Sequence, residues 1–100
     1  MVTPNLPIHE EQLAKYCAKH RVRRLSVFGS VLRDDFGPDS DVDVLVEFED
    51  GCTPGMFVFG AMILELQELL GREVDLRTPH DLSPYFRDEV MRNARVIHAA

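Results

Sequence analysis

The sequence predicts an α/β (α+β) domain, a small mixed β-sheet of three to four strands with helices packed on it. Helical and strand-like patterns alternate along the chain in the order α-β-α-β-α-β-α. A helix of about sixteen residues separates the second and third strands, which is enough for a parallel crossover. Only ten residues lie between Gly29 and Ser40, so the first two strands should run antiparallel. The 100 residues suit one compact domain, 1–100.

The first helix is predicted from Pro7 to His20. Glu10 and Glu11 place negative charge in its first turn, and Lys19 places positive charge in its last turn, as the helix dipole favours.

A short strand follows at residues 23–29 and is closed by Gly29, after which residues 30–36 are predicted as a brief helix. The second strand has a clear alternation, because every second residue from Val42 to Phe48 is apolar. We therefore expect this apolar face to be core. The opposite face should be solvated or functional, and it carries Asp41, Asp43, Leu45 and Glu47.

The second half of the chain contains a helix from near Pro54 to Gly71, a third strand at 72–78 and a last helix at 83–99. In the last helix Ser83 is the predicted N-cap, followed by proline at the first helical position. The segment from Met56 to Leu70 is apolar nearly all round, which favours either core burial or a face for a partner or a second copy.

Composition excludes several classes of protein. The net charge of −6 opposes a nucleic-acid surface, which needs basic residues to neutralise phosphates. The longest near-apolar run, 55–64, is about half the length of a membrane span. Cys17 and Cys52 have no metal-type spacing, and the N-terminus lacks the pattern of a signal peptide. We therefore expect a cytoplasmic protein with free thiols.

The predicted strand order brings polar residues together at one edge of the sheet. The end of the first strand, with Gly29 and Ser30, should lie beside Asp41 and Asp43 at the start of the second. A parallel third strand adds Asp75, with Glu73 and Glu47 as competitors for the role of third carboxylate. The order of the strands therefore predicts a site at this edge.

These residue types indicate a site for phosphate and divalent metal ions. Glycine permits close approach to the backbone, and Ser30 at a helix start offers an N–H and a hydroxyl to phosphate. Two carboxylates whose Cα atoms are roughly 6.5 Å apart can bind a pair of metal ions, and oxygen ligands beside phosphate favour Mg²⁺. Arg33 should neutralise phosphate charge, and Ser40 is assigned to the same phosphate-binding site.

The segment GSVLRDDFGPDSDVDVLVEF resembles the signature of the minimal nucleotidyltransferases, small members of the polymerase-beta-like superfamily often encoded beside a HEPN-domain protein. The resemblance implies that fold, a nucleoside triphosphate held by Gly29 and Ser30, Mg²⁺ bound by Asp41 and Asp43, and Asp75 as the third acidic residue. Many relatives have Arg-Gly where this chain has Arg33 and Asp34. We expect the Asp34 side chain to point to solvent. 

The implied activity is transfer of AMP from Mg-ATP to a hydroxyl, often a tyrosine of a HEPN-type RNase toxin, which would make this chain an antitoxin. One alternative is a catalytically silent module of the same fold that blocks its partner by occlusion. A second is a transferase acting on a small molecule or an RNA end, which would ordinarily need a separate acceptor domain.

Overall fold

A mixed four-stranded sheet organises the part of the chain that the structure, a computed structural model, describes: residues 9–32, 37 and 40–99. The helices are α1 (Glu10–Lys19), α2 (Met56–Leu70) and α3 (Arg87–Asn93), with short 3₁₀ turns at Gly29–Leu32 and Pro79–Asp81. The strands are β1 (Val22–Phe28), β2 (Val42–Phe48), β3 (Val74–Arg77) and β4 (Arg95–Ala99).

The sheet has the order β3-β2-β1-β4 and contains both kinds of pairing. β1 runs antiparallel to β2 and to β4, whereas β2 runs parallel to β3. The parallel pair is connected through α2, and the antiparallel pair through the short segment that begins with the first 3₁₀ turn. The predicted mixed sheet and the predicted directions of its first three strands are therefore confirmed.

The predicted last helix, 83–99, is wrong in its second half. The helix ends at Asn93, and residues 95–99 form β4 against β1, with Val96 opposite Ser26. Without β4, the outer backbone groups of β1 would lack partners, and the β-branched pair Val96 and Ile97 suits a strand. The start also differs, because residues 83–86 form a turn and the N-cap is Phe86 rather than Ser83.

The main core lies on the valine face of β2, as the alternation predicts. Val42, Val44 and Val46 are fully buried there, packed with residues of α1, α2 and the other strands. Leu45, on the opposite face, is also buried, so that face is not solvated along its whole length. The same face also carries Asp43 and Asp75, which are half-buried register partners.

Helix α2 has one buried side and one exposed apolar side. Met62, Leu66 and Leu70 face the core, while Met56 and Phe57 are more than nine-tenths exposed. Both alternatives drawn from the sequence therefore have support, since core burial accounts for one side only. The helix ends as predicted at Gly71, whose φ of 66° is left-handed. Within residues 9–32, 37 and 40–99 no helix is long and apolar enough to span a membrane.

Cys17 packs in the core, and burial raises the pKa of its thiol to about 12. Both Cys17 and Cys52 are free thiols, as predicted. The thiol of Cys17 is thus held in its neutral, unreactive form.

Glu65 links α2 to the end of α1. Its carboxylate lies 3.0 Å from Lys19 Nζ and 3.3 Å from His20 Nε2. Burial alone would raise the pKa of Glu65, but hydrogen bonds and charge attraction from Lys19 and His20 together hold that pKa below its usual 4.5. The ionised carboxylate therefore stabilises the folded state.

We expect Glu65→Gln to lower the free energy of unfolding at neutral pH by up to about 1 kcal/mol, the range of such partly exposed pairs. Because the folded pKa is lowered, this contribution is complete above the unfolded pKa and is lost as pH falls through the folded one. The urea unfolding curves of wild type and variant should therefore converge as the pH falls below the lowered folded pKa of Glu65. Exposed Glu68, replaced by glutamine, is the control. A difference that is unchanged at acidic pH would contradict the electrostatic account.

Candidate active site

A row of residues crosses three neighbouring strands on the face opposite the valine core. Phe28 is the direct cross-strand partner of Asp43, and Asp43 is the direct partner of Asp75. Directly opposed residues present their side chains on the same face, with strands about 4.8 Å apart. The structure therefore brings together the strand ends that the sequence predicted to meet.

Gly29 lies against the carboxylate of Asp43. Its φ of +73° is left-handed, and a β-carbon at this position would overlap Asp43 Oδ2 and lie 3.3 Å from its Cγ. Only glycine satisfies both the backbone conformation and the space. The sequence argument gave Gly29 to the nucleotide, and the structure adds a second reason for it, which is room for Asp43.

Asp41 and Asp43 occupy the start of β2 as expected from their spacing. Asp41 directly precedes the strand and is exposed, whereas Asp43 is half-buried. Ser30 lies in the 3₁₀ turn that follows Gly29. The predicted phosphate contact of Arg33, the predicted orientation of Asp34 and most of the predicted helix 30–36 lie outside the described residues.

Arg72 anchors the turn that leads into Asp41. Its Nη1 donates to the carbonyl oxygens of Gly37 at 2.6 Å and Ser40 at 3.4 Å. The Ser40 hydroxyl in turn accepts a hydrogen bond from the Gly37 N–H at 3.1 Å. Ser40 thus has a structural role, and its nucleotide contact stays a prediction. Sequence reasoning missed Arg72, because nothing local links it to a turn more than thirty residues earlier.

Asp75 is paired with Arg77, two residues further along β3. Its Oδ2 lies 3.2 Å from Arg77 Nε, and both side chains are more than two-fifths exposed. Exposed pairs of this kind contribute roughly 0–1 kcal/mol, so Asp75 can exchange Arg77 for another cation at little cost.

Neither competing carboxylate is a register partner of Asp43. Glu47, near the far end of β2, lies 3.6 Å from both Arg23 and Arg24. Glu73 precedes β3, and its carbonyl oxygen accepts the Val42 N–H at 2.9 Å. The register therefore favours Asp75 as the neighbour of Asp43.

The donor set at this edge is made of carboxylate oxygens, the ligands that Mg²⁺ prefers. Among residues 9–32, 37 and 40–99, no three His, Cys, Asp or Glu side chains are gathered closely enough to hold a metal ion as they stand. Asp75 would have to leave Arg77 to join Asp41 and Asp43. The residues thus fit Mg²⁺ in chemistry and in strand position, and metal binding stays a prediction.

A cleft of about 300 Å³ opens beside Asp43 and Asp75. Sequence reasoning missed most of its residues, because it placed Ser83 and Phe86 within a continuous helix. The position of Phe28 could have been found from the pairing of β1 with β2. The lining residues are Phe28, Asp43, Asp75, Arg77, Asp81, Leu82, Ser83 and Phe86.

Several known proteins are similar to this chain. Residues 10–97 match the family described as the nucleotidyltransferase domain. Protein adenylyltransferase MntA of Thermococcus cleftensis is 36% identical over 87 residues, which cover 87% of this chain and 83% of that protein.

Solved structures confirm the nucleotidyltransferase fold that the resemblance implied. One, of a "putative minimal nucleotidyltransferase", is 40% identical, covers 85% of each chain and has a TM-score of 0.69. A crystal structure of a toxin-antitoxin with AMP-PNP has a TM-score of 0.72 and covers 93% of this chain and 75% of that one. Its 19% identity makes it a likeness of fold alone.

Proposed function

Since this chain belongs to the nucleotidyltransferase domain family, we propose that it is a protein adenylyltransferase that uses Mg-ATP to attach AMP to a HEPN-type RNase toxin. In this role it is the antitoxin of the pair. A relative that covers most of its length is named as a protein adenylyltransferase, and a toxin-antitoxin crystallised with an ATP analogue shares its fold. We place the pair in the cytoplasm, where ATP is available and the two thiols stay reduced.

The observation that carries the proposal is the position of Asp43. It lies between the Gly29 turn on one side and Asp75 on the other, on three adjoining strands. A turn that permits close backbone approach suits a triphosphate, and a carboxylate on the far side suits the group that receives the AMP. The residues that we propose for these parts are thus neighbours across adjoining strands.

In the reaction we propose, the acceptor hydroxyl oxygen attacks the α-phosphorus of ATP. The bond from that phosphorus to the oxygen bridging to the β-phosphate breaks, and pyrophosphate leaves. Asp75 orients the hydroxyl and takes its proton, while Gly29 and Ser30 hold the triphosphate. Asp41, Asp43 and Asp75 would hold Mg²⁺, which neutralises charge on the phosphates and the leaving oxygen.

A protein acceptor fits the surface of the molecule. The described residues form one sheet with its helices, and Met56 and Phe57 expose large apolar side chains at the start of α2. Solvated proteins rarely leave such side chains grouped without a partner. We propose that this end of α2 contacts the toxin, with a second copy of the chain as the alternative.

The test is incubation of the chain and its toxin partner with ATP labelled at the α-phosphate, with and without Asp41→Asn. Wild type should label the partner, and the variant should reduce the initial rate at least about 10²-fold, as for loss of one charge-stabilising group. Mass spectrometry should find AMP on a partner hydroxyl. Chelation of Mg²⁺ should stop labelling by wild type.

The matched control is Asp50→Asn, which neutralises an exposed aspartate in the turn after the other end of β2. It should label the partner at the wild-type rate. Inhibition of the toxin by Asp41→Asn without any label would favour occlusion instead of catalysis. Label on RNA or a small molecule, with none on the partner, would contradict a protein acceptor.

A further inference from the structure

We infer that the cleft beside Asp75 binds the acceptor side chain of the target protein, and that Phe86 makes it selective for an aromatic ring carrying a hydroxyl. The inference rests on the proposed function, because it locates the second substrate of that reaction. It adds a specificity-determining residue, Phe86, which lies outside the motif that predicted the site.

The carboxylate side of the cleft places the acceptor at the reacting group. Asp43 and Asp75 are register partners, and both line the cleft. A hydroxyl that reaches this side therefore touches the carboxylate proposed to take its proton. A side chain bound here would lie beside Asp43, the residue that packs against the Gly29 turn proposed to hold the nucleotide.

The other side of the cleft is apolar and aromatic. Phe28, Leu82 and Phe86 line it, and Phe86 is half-exposed at the end of the turn before α3. Aromatic side chains pair with a further ring through edge and face contacts worth about 0.5–1.5 kcal/mol beyond the area they bury. A serine or threonine acceptor would forgo this contact.

The segment that carries Leu82 and Phe86 is held in place before any ligand binds. The Asp81 carboxylate accepts hydrogen bonds from the N–H and hydroxyl of Thr78, at 3.0 and 3.1 Å. The Arg87 guanidinium donates to the carbonyl oxygens of Pro79 at 2.7 Å and Leu82 at 3.0 Å. Such preorganisation lowers the ordering cost of binding an acceptor.

Size favours a single side chain over a nucleotide as occupant of this cleft. Among the described residues that line it, Arg77 is the one cation, and it is already paired with Asp75. A neutral phenol can bind beside these carboxylates without a counter-ion, whereas the phosphates proposed to lie at the Gly29 turn depend on Mg²⁺. The volume of about 300 Å³ is at the lower end of ligand pockets, which span roughly 300–1,000 Å³, and suits a single side chain.

The test is steady-state labelling of the toxin partner, which gives separate kinetic constants for the partner and for ATP. Phe86→Ala should lower kcat/KM for the partner at least about tenfold, the equivalent of one lost aromatic contact with its buried area. The KM for ATP should stay within about twofold of wild type, because the nucleotide is held at the Gly29 turn. Phe86→Tyr should restore most of the acceptor kcat/KM.

Tyr85→Ala is the control, because Tyr85 is adjacent, 98% exposed and not among the cleft residues. It should leave both constants near their wild-type values. Equal losses in both variants would mean that Phe86 acts only as exposed surface, and would overturn the inference. If Phe86→Ala raised the KM for ATP and left kcat/KM for the partner unchanged, the cleft would bind the adenine of ATP instead. That result would also overturn the inference. No transfer by wild type would overturn the proposed function along with the cleft, whereas normal transfer by Phe86→Ala would overturn the cleft alone.

Discussion

Gly29→Ala should reduce adenylyl transfer at least about 10²-fold, while Gly51→Ala should leave it nearly unchanged. The added methyl of Gly29→Ala would overlap the Asp43 carboxylate, so either that side chain or the end of β1 must shift. A displacement of about 1 Å at a reacting group can by itself cost this factor. The measurement is the initial rate of AMP transfer to the partner for both variants.

Gly51 matches Gly29 in backbone conformation and differs in surroundings. Its φ is +74° against +73°, but nothing lies within 4 Å of a β-carbon placed there. Both variants should lose about 1–2 kcal/mol of stability through the left-handed φ, and Gly29→Ala should lose more because its methyl also displaces Asp43. Thermal unfolding measures this shared cost. If the two variants lost activity equally, backbone strain would explain the loss and the packing of Gly29 against Asp43 would be irrelevant to catalysis.

The parts of this fold that sequence predicts are those with a local physical cause. The alternation from Val42 to Phe48 fixes which face of β2 is buried, and Gly71 marks the end of α2 by its left-handed conformation. The short connection from Gly29 to Ser40 permits only a reversal of direction, which places Asp43 near Gly29. Local rules therefore predict the meeting of the acidic motif with the glycine turn.

The parts that sequence missed depend on distant partners. Residues 95–99 read as the end of a helix, but the unpaired edge of β1 makes them a strand. Because the helix was predicted to begin at Ser83, Phe86 was placed inside it. In the structure Phe86 precedes α3 and lines the cleft. Arg72 contacts its turn through the tertiary fold alone. The periodicity of a segment reflects only the residues within that segment. It therefore cannot show that β1 has an unpaired edge, or that the turn before Asp41 is held by Arg72.

The ion pair between Asp75 and Arg77 bears directly on the proposed metal site. In the structure the carboxylate is neutralised by Arg77, which keeps a solvated cation beside the acidic edge. Because Asp43 and Asp75 are adjacent, binding of Mg²⁺ would replace one positive partner by a stronger one. The proposed metal site would therefore keep a counter-ion at Asp75 when Mg²⁺ is absent.

Asp75→Asn should therefore lower kcat at least about 10²-fold, the usual contribution of a positioned general base. The free energy of unfolding should change by less than about 1 kcal/mol, because only an exposed pair with Arg77 is lost. Glu73→Gln and Glu47→Gln are the controls, since these were the other candidates for the third carboxylate. Glu47 is engaged by Arg23 and Arg24, so Glu47→Gln can alter stability without reaching the reaction. Both controls should keep kcat within a few-fold of wild type in the labelled-ATP assay. Loss of activity in Glu73→Gln with normal activity in Asp75→Asn would contradict this assignment. Glu73, which precedes β3, would then be the third carboxylate, and the register between Asp43 and Asp75 would have no role in catalysis.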